Sequence, residues 1–330
     1  MALEEFRSEF LSGDNEERYL AEGERLFWVR DSNWDLELSS WNSRTGATIH
    51  YDFTIGGSAS NGRVGTDHIV FAEENGPQVL YHLYAIDSTD TLIGSLSVDA
   101  PGDEQKWWAY APWGGALHLA LTTDGITLVR WFPRDEPEPM EMIHDLSDAG
   151  MGEFGEFGVD DDNIVLTESG RIWHLDRSSR VLTWLENETE VTDSVVMTDD
   201  GFGYATSGEG MFYWGYDGQQ RHISAEIEAA DYQINTTFAS HHLPSRSSFA
   251  LVGSLWIYEG SGGVFAYDLN SGAIEPVVLD TRESPWITYR DPQVLDDGTL
   301  FVLGLTSESG VTGAQDRYQT NNHPSAATSA

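Results

Sequence analysis

A motif that recurs seven times constrains what this chain can fold into. Each copy is a tight polar turn followed by a run of alternating apolar residues. The copies are EGERLFWV (22–29), TDHIVFA (66–72), GGALHLAL (114–121), DDNIVLT (161–167), DDGFGYAT (199–206), SRSSFALV (245–252) and DDGTLFVLG (296–304). Gly23 and Asp297 are separated by six intervals, so the period is about 46 residues. A period of this length is typical of repeats that each supply several strands.

A second motif follows the first in most repeats, as a strand that ends near an Asp or Asn and then turns. Asp, Asn, Ser and Gly favour tight turns between antiparallel strands. The copies are WNSRTG (41–46), AIDSTD (85–90), HLDRSS (174–179), WGYDGQ (214–219), AYDLNSG (266–272) and GAQDRY (313–318). A further apolar-alternating segment follows, as in VLTWLE (181–186) and RHISAEI (221–227). Each repeat therefore predicts four antiparallel strands, and the chain an all-β, seven-bladed β-propeller, with six or eight blades as alternatives.

The repeats predict a single propeller domain over residues 1–320 and a disordered tail over 321–330, which is small and polar. The seventh repeat lacks an outer strand, whereas EEFRSEFL (4–11) precedes the first repeat without a place in it. We therefore expect 4–11 to pair with the seventh blade and close the ring, since an open ring leaves a strand edge unpaired. The alternative is a separate N-terminal helix. The predicted blades lie near 13–56, 57–99, 100–147, 148–187, 188–228, 229–280 and 281–320 plus 4–11.

The turns YDLNSG (267–272) and WNSRTG (41–46) resemble the Asp/Asn-x-x-Ser/Thr-Gly turn of the quinoprotein-like and WD-repeat-like propeller superfamilies. The resemblance covers residues 4–320 and implies a propeller architecture. Quinone-dependent members carry vicinal cysteines at the cofactor, and this chain has no cysteine. The resemblance therefore implies the fold without the quinone cofactor.

The chain is strongly acidic, with 55 Asp and Glu against 17 Lys and Arg and a formal net charge of −38. This charge repels nucleic acid phosphates and anionic membranes and attracts cations and basic partners. We expect no nucleic-acid binding and no membrane insertion, and we expect a monomer. The charge balance also favours adaptation to a saline habitat, with an acidic, arginine-preferring secreted protein as the alternative. No signal peptide is recognisable in 1–10, so the compartment stays open, and secretion or a periplasmic location after removal of a signal remains an option.

Two groups of residues are candidate metal ligands. Asp160, Asp161 and Asp162 offer the oxygen ligands that calcium prefers, although their spacing is not that of an EF-hand loop. His241 and His242 are adjacent in the long connection 229–247 and could ligate a transition metal, but no third ligand is identifiable. The simpler interpretation is turn chemistry for the aspartates and a solvated loop for the histidines. We therefore expect no cofactor, and calcium is the alternative.

Aromatic clusters in the connections between blades are the main ligand-binding candidates. Trp107, Trp108 and Tyr110 follow an acidic loop, and Trp286, Tyr289 and Arg290 follow 282–285. Aromatic faces stack on sugar rings or hold cations. The alternative is that these side chains pack between blades.

The sequence favours a non-enzymatic binding or scaffold propeller that recognises a protein, a glycan or a small cationic ligand on its channel face. No nucleophile elbow, phosphate loop or His-Glu-x-x-His helix is present. The alternative is a propeller enzyme, a hydrolase or lyase with carboxylates and histidine drawn from several blades. Carboxylates and a histidine that converge at the channel mouth would favour the enzyme, whereas a purely acidic face would favour binding.

Overall fold

The strands of this protein are arranged as an all-β propeller of four-stranded antiparallel blades, in agreement with the sequence. The structure is a computed structural model. It describes residues 4–11, 17–32, 35–53, 62–65, 67–75, 78–99, 110–122, 126–133, 141–145, 154–168, 171–186, 191–206, 210–230, 242–243, 249–280, 286–307 and 314–322.

The first strand, β1 (Glu4–Leu11), precedes three blades formed by consecutive strands. Blade 1 contains β2 (Glu17–Glu22), β3 (Arg25–Ser32), β4 (Asp35–Asn42) and β5 (Thr48–His50). Blade 2 contains β6 (Gly62–Val64), β7 (His68–Asn75), β8 (Gln78–Ala85) and β9 (Leu92–Asp99). Blade 3 contains β10 (Tyr110–Trp113), β11 (Ala116–Thr122), β12 (Ile126–Trp131) and β13 (Glu141–Asp145).

Three further blades follow in the same order. Blade 4 contains β14 (Phe154–Val159), β15 (Asn163–Glu168), β16 (Arg171–Asp176) and β17 (Val181–Glu186). Blade 5 contains β18 (Val191–Thr198), β19 (Gly201–Thr206), β20 (Gly210–Gly215) and β21 (Gln220–His222), and is followed by α1 (Ile223–Ala229) and β22 (His242–Leu243). Blade 6 contains β23 (Phe249–Val252), β24 (Leu255–Gly260), β25 (Gly263–Asp268) and β26 (Ile274–Leu279).

The last sheet joins the two ends of the chain. Strands β27 (Trp286–Val294), β28 (Thr299–Ser307) and β29 (Ala314–Asn322) are followed in the sheet by β1, which pairs antiparallel with β29. The predicted pairing of 4–11 with the last repeat is therefore confirmed. We call this composite sheet the closing sheet. The described strands thus form six blades from consecutive strands, the number stated as an alternative to seven, together with the closing sheet.

Apolar residues on both faces of the second strand of each blade build the core. In β7, Ile69 and Phe71 pack against blade 1, whereas Val70 and Ala72 pack against blade 3. Alternation places neighbouring side chains on opposite faces, so a strand buried on both faces has a continuous apolar run. Among the described residues, apolar clusters of this kind fill every interface around the ring, including both sides of the closing sheet. Each fully buried Leu, Ile or Phe side chain contributes about 1.5–3 kcal/mol to folding.

The second motif forms the turn between the third and fourth strands, as its residues predicted. In YDLNSG, one carboxylate oxygen of Asp268 accepts the N–H of Asn270 at 2.8 Å and the other accepts the hydroxyl of Ser271 at 2.9 Å. Gly272 closes this turn with a φ of +68°, which glycine adopts without a steric penalty. These hydrogen bonds lower the pKa of Asp268, because they stabilise its charged form.

Four local predictions are wrong. RHISAEI (221–227) is not an outer strand, because β21 ends at His222 and α1 places Ile223 and Ile227 on one buried helical face. SRSSFALV (245–252) does not contain the turn between the first and second strands of its blade. Phe249–Val252 is the first, innermost strand of blade 6, and 253–254 form the turn to the second strand. GAQDRY is not a turn, and 321–322 are not part of a tail, because both lie largely in β29. Residues 323–330 lie outside the described residues.

The long connection between blades 5 and 6 returns to the centre of the ring. Strand β22 pairs with β6, the innermost strand of blade 2, so that His242 is opposite Arg63 and Leu243 is opposite Gly62. β22 therefore lies on the channel side of blade 2, as a fifth strand of that sheet. In the described part of the chain, no helix has the length and apolar character to cross a membrane.

Candidate functional site

The innermost strands of all the sheets run in the same direction along the central channel. In blades 1 to 6 it is the first of the four consecutive strands, and in the closing sheet it is β27, the first of the three C-terminal strands; in each sheet its antiparallel partner returns beside it. The turns that join first and second strands therefore all lie at one end of the channel. We call this end the first-turn face. The first sequence motif marks this face, because most of its polar turns are these connections.

A cavity of about 670 Å³ opens on the first-turn face and extends into the channel. Carboxyl groups from four of the sheets surround its entrance, and we call them the acidic mouth. They belong to Glu22, Asp160, Asp161, Asp162, Asp199 and Asp296. Cavities of 300–1,000 Å³ with a few convergent polar groups are the usual sites of small ligands. The mouth is therefore the principal candidate site in the described part of the chain.

The turn at Asp160 is held rigidly by hydrogen bonds from its own backbone. Oδ1 of Asp160 accepts the N–H of Asp162 at 2.8 Å and that of Asn163 at 2.6 Å. Nη1 of Arg177, on the neighbouring turn, donates to the carbonyl oxygen of Asp160 at 2.6 Å. The carboxyl group of Asp160 therefore has a structural role in the turn, whereas Asp161 and Asp162 remain exposed.

Indole Nε1 of Trp113, at the end of β10, donates to Oδ1 of Asp161 at 3.0 Å. This hydrogen bond links blades 3 and 4 at the mouth and orients the carboxyl group. Among the described residues, no group of three or more His, Asp or Glu side chains is arranged to hold a metal ion. The hydrogen bonds of 160–162 are therefore those expected of a turn, and calcium binding stays the alternative.

Glu22, at the end of β2, is a carboxyl group of the mouth with a raised pKa. Burial, reinforced by the nearby carboxyl group of Asp296, raises the pKa of Glu22 from 4.5 to about 8. Both causes disfavour the charged form, because a buried charge is desolvated and two like charges repel. Glu22 is therefore mostly protonated at neutral pH in the folded protein.

This pKa predicts a pH dependence of stability. Between 4.5 and about 8, the folded protein holds a proton on Glu22 that the unfolded chain releases, so stability falls as pH rises through this range. Below 4.5 the group is protonated in both states and makes no difference. We expect Glu22→Gln to be more stable than the wild type at pH 8.5 by about 1–3 kcal/mol, given 1.36 kcal/mol per pKa unit and partial screening by solvent. Urea denaturation at intervals from pH 5 to 9 measures this difference.

Glu275 provides the matched control, because it is an exposed residue of the outer strand β26. The stability difference between Glu275→Gln and wild type should stay constant over the same pH range. A Glu22→Gln difference that does not grow with pH would contradict the raised pKa.

Deeper in the channel, one residue from each innermost strand occupies an equivalent register position. In each sheet the backbone partner of this residue is a residue of the second strand. That partner lies on the face of the second strand that packs against the next sheet around the ring. We call this set the inner ring, and all its members line the cavity: Leu20, Arg63, Ala111, Gly158, Val196, Ala250 and Gln293. Only Arg63 and Gln293 in this set have polar side chains. The cavity therefore has carboxyl groups at its entrance and two hydrogen-bond donors inside.

Arg63 is the only basic residue among the described residues that line the cavity. Its side chain is buried, its Nη1 donates to the carbonyl oxygen of Phe157 at 3.3 Å, and its guanidinium lies 5.1 Å from the centre of the Tyr110 ring. Stacking on an aromatic face stabilises a cation. The guanidinium is thus held in place inside the channel.

The structure brings together two of the binding candidates around this arginine. Tyr110 is fully buried beneath the Arg63 guanidinium, and the backbone of His242 is paired with Arg63 through β22. Tyr289 is also buried, in the cluster between blade 6 and the closing sheet. Both tyrosine rings are therefore packed between sheets, which is the alternative to ligand binding stated for the aromatic clusters.

The other binding candidates are not described in atomic detail. Trp107, Trp108 and His241 lie outside the described residues. Trp286 and Arg290 lie in β27, and His242 in β22, but their side chains are outside the described part. Their role in binding therefore stays a prediction.

Sequence reasoning missed the channel residues Glu22, Arg63, Gln293 and Asp296. The sequence predicts these acidic turns as connections between strands, without their common position at one end of the channel. A signal was available, because first turns of successive blades must share a face and several contain Asp. Arg63 also interrupts an otherwise apolar strand, GRV (62–64).

One comparison with a solved structure agrees with the fold. The chain is similar to the extracellular domain of a protein described as a one-component system from B. thetaiotaomicron, with a TM-score of 0.52 and 12% sequence identity. That similarity covers 97% of this chain and 40% of the other chain, so this protein spans well under half of its length. BamB from Moraxella catarrhalis has a TM-score of 0.48 and 11% identity, over 98% of this chain and 99% of that one. No protein-family model and no curated protein matches the chain.

Proposed function

We propose that this protein is a non-enzymatic binding propeller whose acidic mouth takes up a small cationic ligand. The observation that carries the proposal is the convergence of carboxyl groups from four sheets around one cavity entrance. Carboxylates that converge at a concave entrance focus a negative potential and raise the local concentration of cations. A net charge of −38 adds to this attraction.

Binding is favoured over catalysis by the composition of the cavity. No histidine is among the described residues that line it, so the carboxylate and histidine set expected of a hydrolase or lyase does not converge there. The observation that favours an enzyme is the raised pKa of Glu22 at the cavity entrance, since carboxyl groups with perturbed pKa values are common in active sites. The enzyme is therefore the second candidate.

A basic segment of a protein and a glycan remain the other candidate partners. A basic segment would use the same attraction as a small cation. A glycan would need exposed aromatic faces, and the candidates for this role, Trp107 and Trp108, lie outside the described residues. A secreted or periplasmic location and a monomeric state likewise remain proposals.

Removal of mouth carboxylates should weaken cation binding. We expect Asp199→Asn and Asp296→Asn each to reduce the affinity for 1,6-diaminohexane about fivefold, because one charge pair near the surface contributes on the order of 1 kcal/mol. Isothermal titration calorimetry at 20 mM NaCl measures this change. The binding should also weaken at 500 mM NaCl, since salt screens exposed charges.

Glu275→Gln removes one carboxylate from the outer strand β26 and serves as the charge-matched control. Its affinity for 1,6-diaminohexane should equal that of the wild type. Equal losses in the control and the mouth variants would mean that net charge, rather than the mouth, attracts the diamine. Binding of hexanol with the same affinity as the diamine would also contradict the proposal.

We further propose that the closing sheet is the seventh blade of the ring, with six blades as the alternative. Two observations support seven. The closing sheet has four antiparallel strands in the order of a blade, and apolar clusters join it to blade 6 on one side and to blade 1 on the other. A ring of this kind leaves no gap between the last and first blades.

A further inference from the structure

A serine, a histidine and a glutamate meet on three neighbouring strands of blade 2, outside the cavity. Oγ of Ser95 in β9 is 2.8 Å from Nδ1 of His82 in β8, the residue directly opposite it. Nε2 of the same imidazole is 3.6 Å from Oε2 of Glu73 in β7. None of the three is among the described residues that line the cavity. The imidazole is thus held between a hydroxyl group and a carboxylate.

The carboxylate favours one position of the proton on His82. An ionised carboxylate only accepts hydrogen bonds, so Glu73 favours the tautomer with the proton on Nε2. Nδ1 is then the nitrogen that accepts the hydroxyl proton of Ser95. A serine next to a base that is itself oriented by an acid is the arrangement that activates a hydroxyl group as a nucleophile.

Ser95 is accessible to a reactant, because it is exposed and lies on an edge strand. In the described sheets, β9 pairs with β8 and with no second strand. The N–H groups of an antiparallel strand point alternately to its two sides, so the N–H of either Ser95 or Leu96 points to the open edge. A backbone N–H beside the nucleophile is a donor for the oxygen that becomes negative during acyl transfer.

Blade 1 contains a second serine–histidine pair that lacks two of these features. Oγ of Ser39 is 2.8 Å from Nδ1 of His50. Ser39 is only 6% exposed, so its hydroxyl group is shielded from a reactant. In the described part of the chain, no carboxylate forms an ion pair with His50. A hydrogen bond between serine and histidine is therefore not enough, and the pair of blade 1 provides an internal comparison for Ser95.

We propose that Ser95 is a modification site, where its hydroxyl group takes up an acyl group from a neutral carboxylic ester. Oγ bonds to the carbonyl carbon of the ester while its proton passes to Nδ1 of His82. The bond between this carbon and the leaving oxygen then breaks, and the proton passes from His82 to the departing alkoxide. The products are acyl-Ser95 and an alcohol, so atoms and charges balance. The step modifies the protein once and is independent of cation binding at the mouth.

The surroundings of Ser95 favour a neutral ester with a short apolar acyl group. Leu92 precedes Ser95 in β9, lies opposite Tyr84 and is 49% exposed, so it offers apolar surface near the hydroxyl group. The carboxylate of Glu73 and the net charge of −38 repel an anionic ester.

Treatment of the full chain with p-nitrophenyl butyrate, a neutral ester of this class, tests the proposal. We expect a butyryl group on Ser95 of the wild type, located by mass spectrometry of its peptides, and an equal amount of p-nitrophenol released. Ser95→Ala should abolish this acylation, and His82→Ala should slow it about a hundredfold, which is the usual contribution of a general base. Glu73→Gln should lower the maximal rate about fivefold, because one partly exposed charge pair is lost. The ester concentration at half-maximal rate should stay unchanged, since Glu73 is a positioning residue that acts through His82.

Ser97→Ala is the matched control, because Ser97 is an exposed serine of the same strand that lies opposite Leu80 instead of a histidine. It should keep the wild-type rate of acylation, and Ser39 should stay unmodified. The proposal is overturned if Ser95 of the wild type carries no butyryl group, if Ser95 and Ser97 are acylated equally, or if His82→Ala reacts at the wild-type rate. The distribution of the label in the wild type decides the proposal even if a variant does not fold.

Discussion

Removal of residues 1–11 should lower the melting temperature of the whole protein by about 10 °C in one cooperative transition. β1 pairs with β29 along its full length, from Glu4 opposite Thr320 to Leu11 opposite Ala314. The deletion removes these backbone hydrogen bonds, which contribute about 0.5–1.5 kcal/mol each, and exposes the edge of β29. A loss of several kcal/mol lowers the melting temperature of a domain this large by about 2 °C or more per kcal/mol. Differential scanning calorimetry measures the transition.

A deletion of residues 323–330 is the control, because it removes a similar length of chain beyond the last described strand. Its melting temperature should stay within about 2 °C of the wild type. Addition of a synthetic peptide of residues 1–11 to the shortened protein should restore part of the stability. An unchanged melt of the shortened protein would contradict the role of β1 as a blade strand, and it would remove the main support for a seventh blade.

The blade architecture could be predicted because each repeat carries its own local signals. The apolar run IVFA (69–72) indicates a strand buried on both faces, and that strand packs against two neighbouring blades. YDLNSG predicts a tight turn held by hydrogen bonds of its polar side chains, and Asp268 accepts such bonds from the N–H of Asn270 and the hydroxyl of Ser271. Signals of this kind need no knowledge of distant residues.

The errors in the fold arose where local patterns fit two structures. RHISAEI alternates in the way a strand does, but Ile223 and Ile227 are also four residues apart, and the contacts of α1 with the core of blades 5 and 6 decide for the helix. In the sixth repeat the sequence predicts FALV (249–252) as the second strand, because FALV and LWIYEG (255–260) are both apolar strands near a polar turn. Only the pairing of β23 with β24 distinguishes them.

The candidate site could not be predicted from the repeats, because its residues are far apart in the chain. Glu22 and Asp296 are near neighbours only after the closing sheet meets blade 1, and burial of Glu22, reinforced by this proximity, raises its pKa. Arg63 and Gln293 share a channel level only when the registers of their sheets are known. The sequence instead points to aromatic residues in the connections between blades, and of these Tyr110 and Tyr289 are buried.

The melting temperature should rise by about 10 °C or more between 0.05 M and 2 M NaCl. The excess of 38 negative charges is compressed when the chain folds, so repulsion destabilises the folded state more than the unfolded state. Salt shortens the screening length from about 10 Å at 0.1 M to about 3 Å at 1 M, below the spacing of most surface charges. Thermal unfolding followed by circular dichroism over a series of NaCl concentrations measures the rise.

A charge-reduced variant separates screening from general effects of salt on apolar burial. Glu37, Asp99 and Glu275 are exposed residues of three different blades, and their replacement by the corresponding amides removes three charges without a loss of core contacts. This variant should melt higher than the wild type at low salt and gain less from added NaCl, because less repulsion remains to be screened. If salt raises both melting temperatures equally, the stabilisation comes from burial and not from charge. A melting temperature indifferent to NaCl would contradict adaptation to a saline habitat and leave cation attraction at the mouth as the main consequence of the acidic composition.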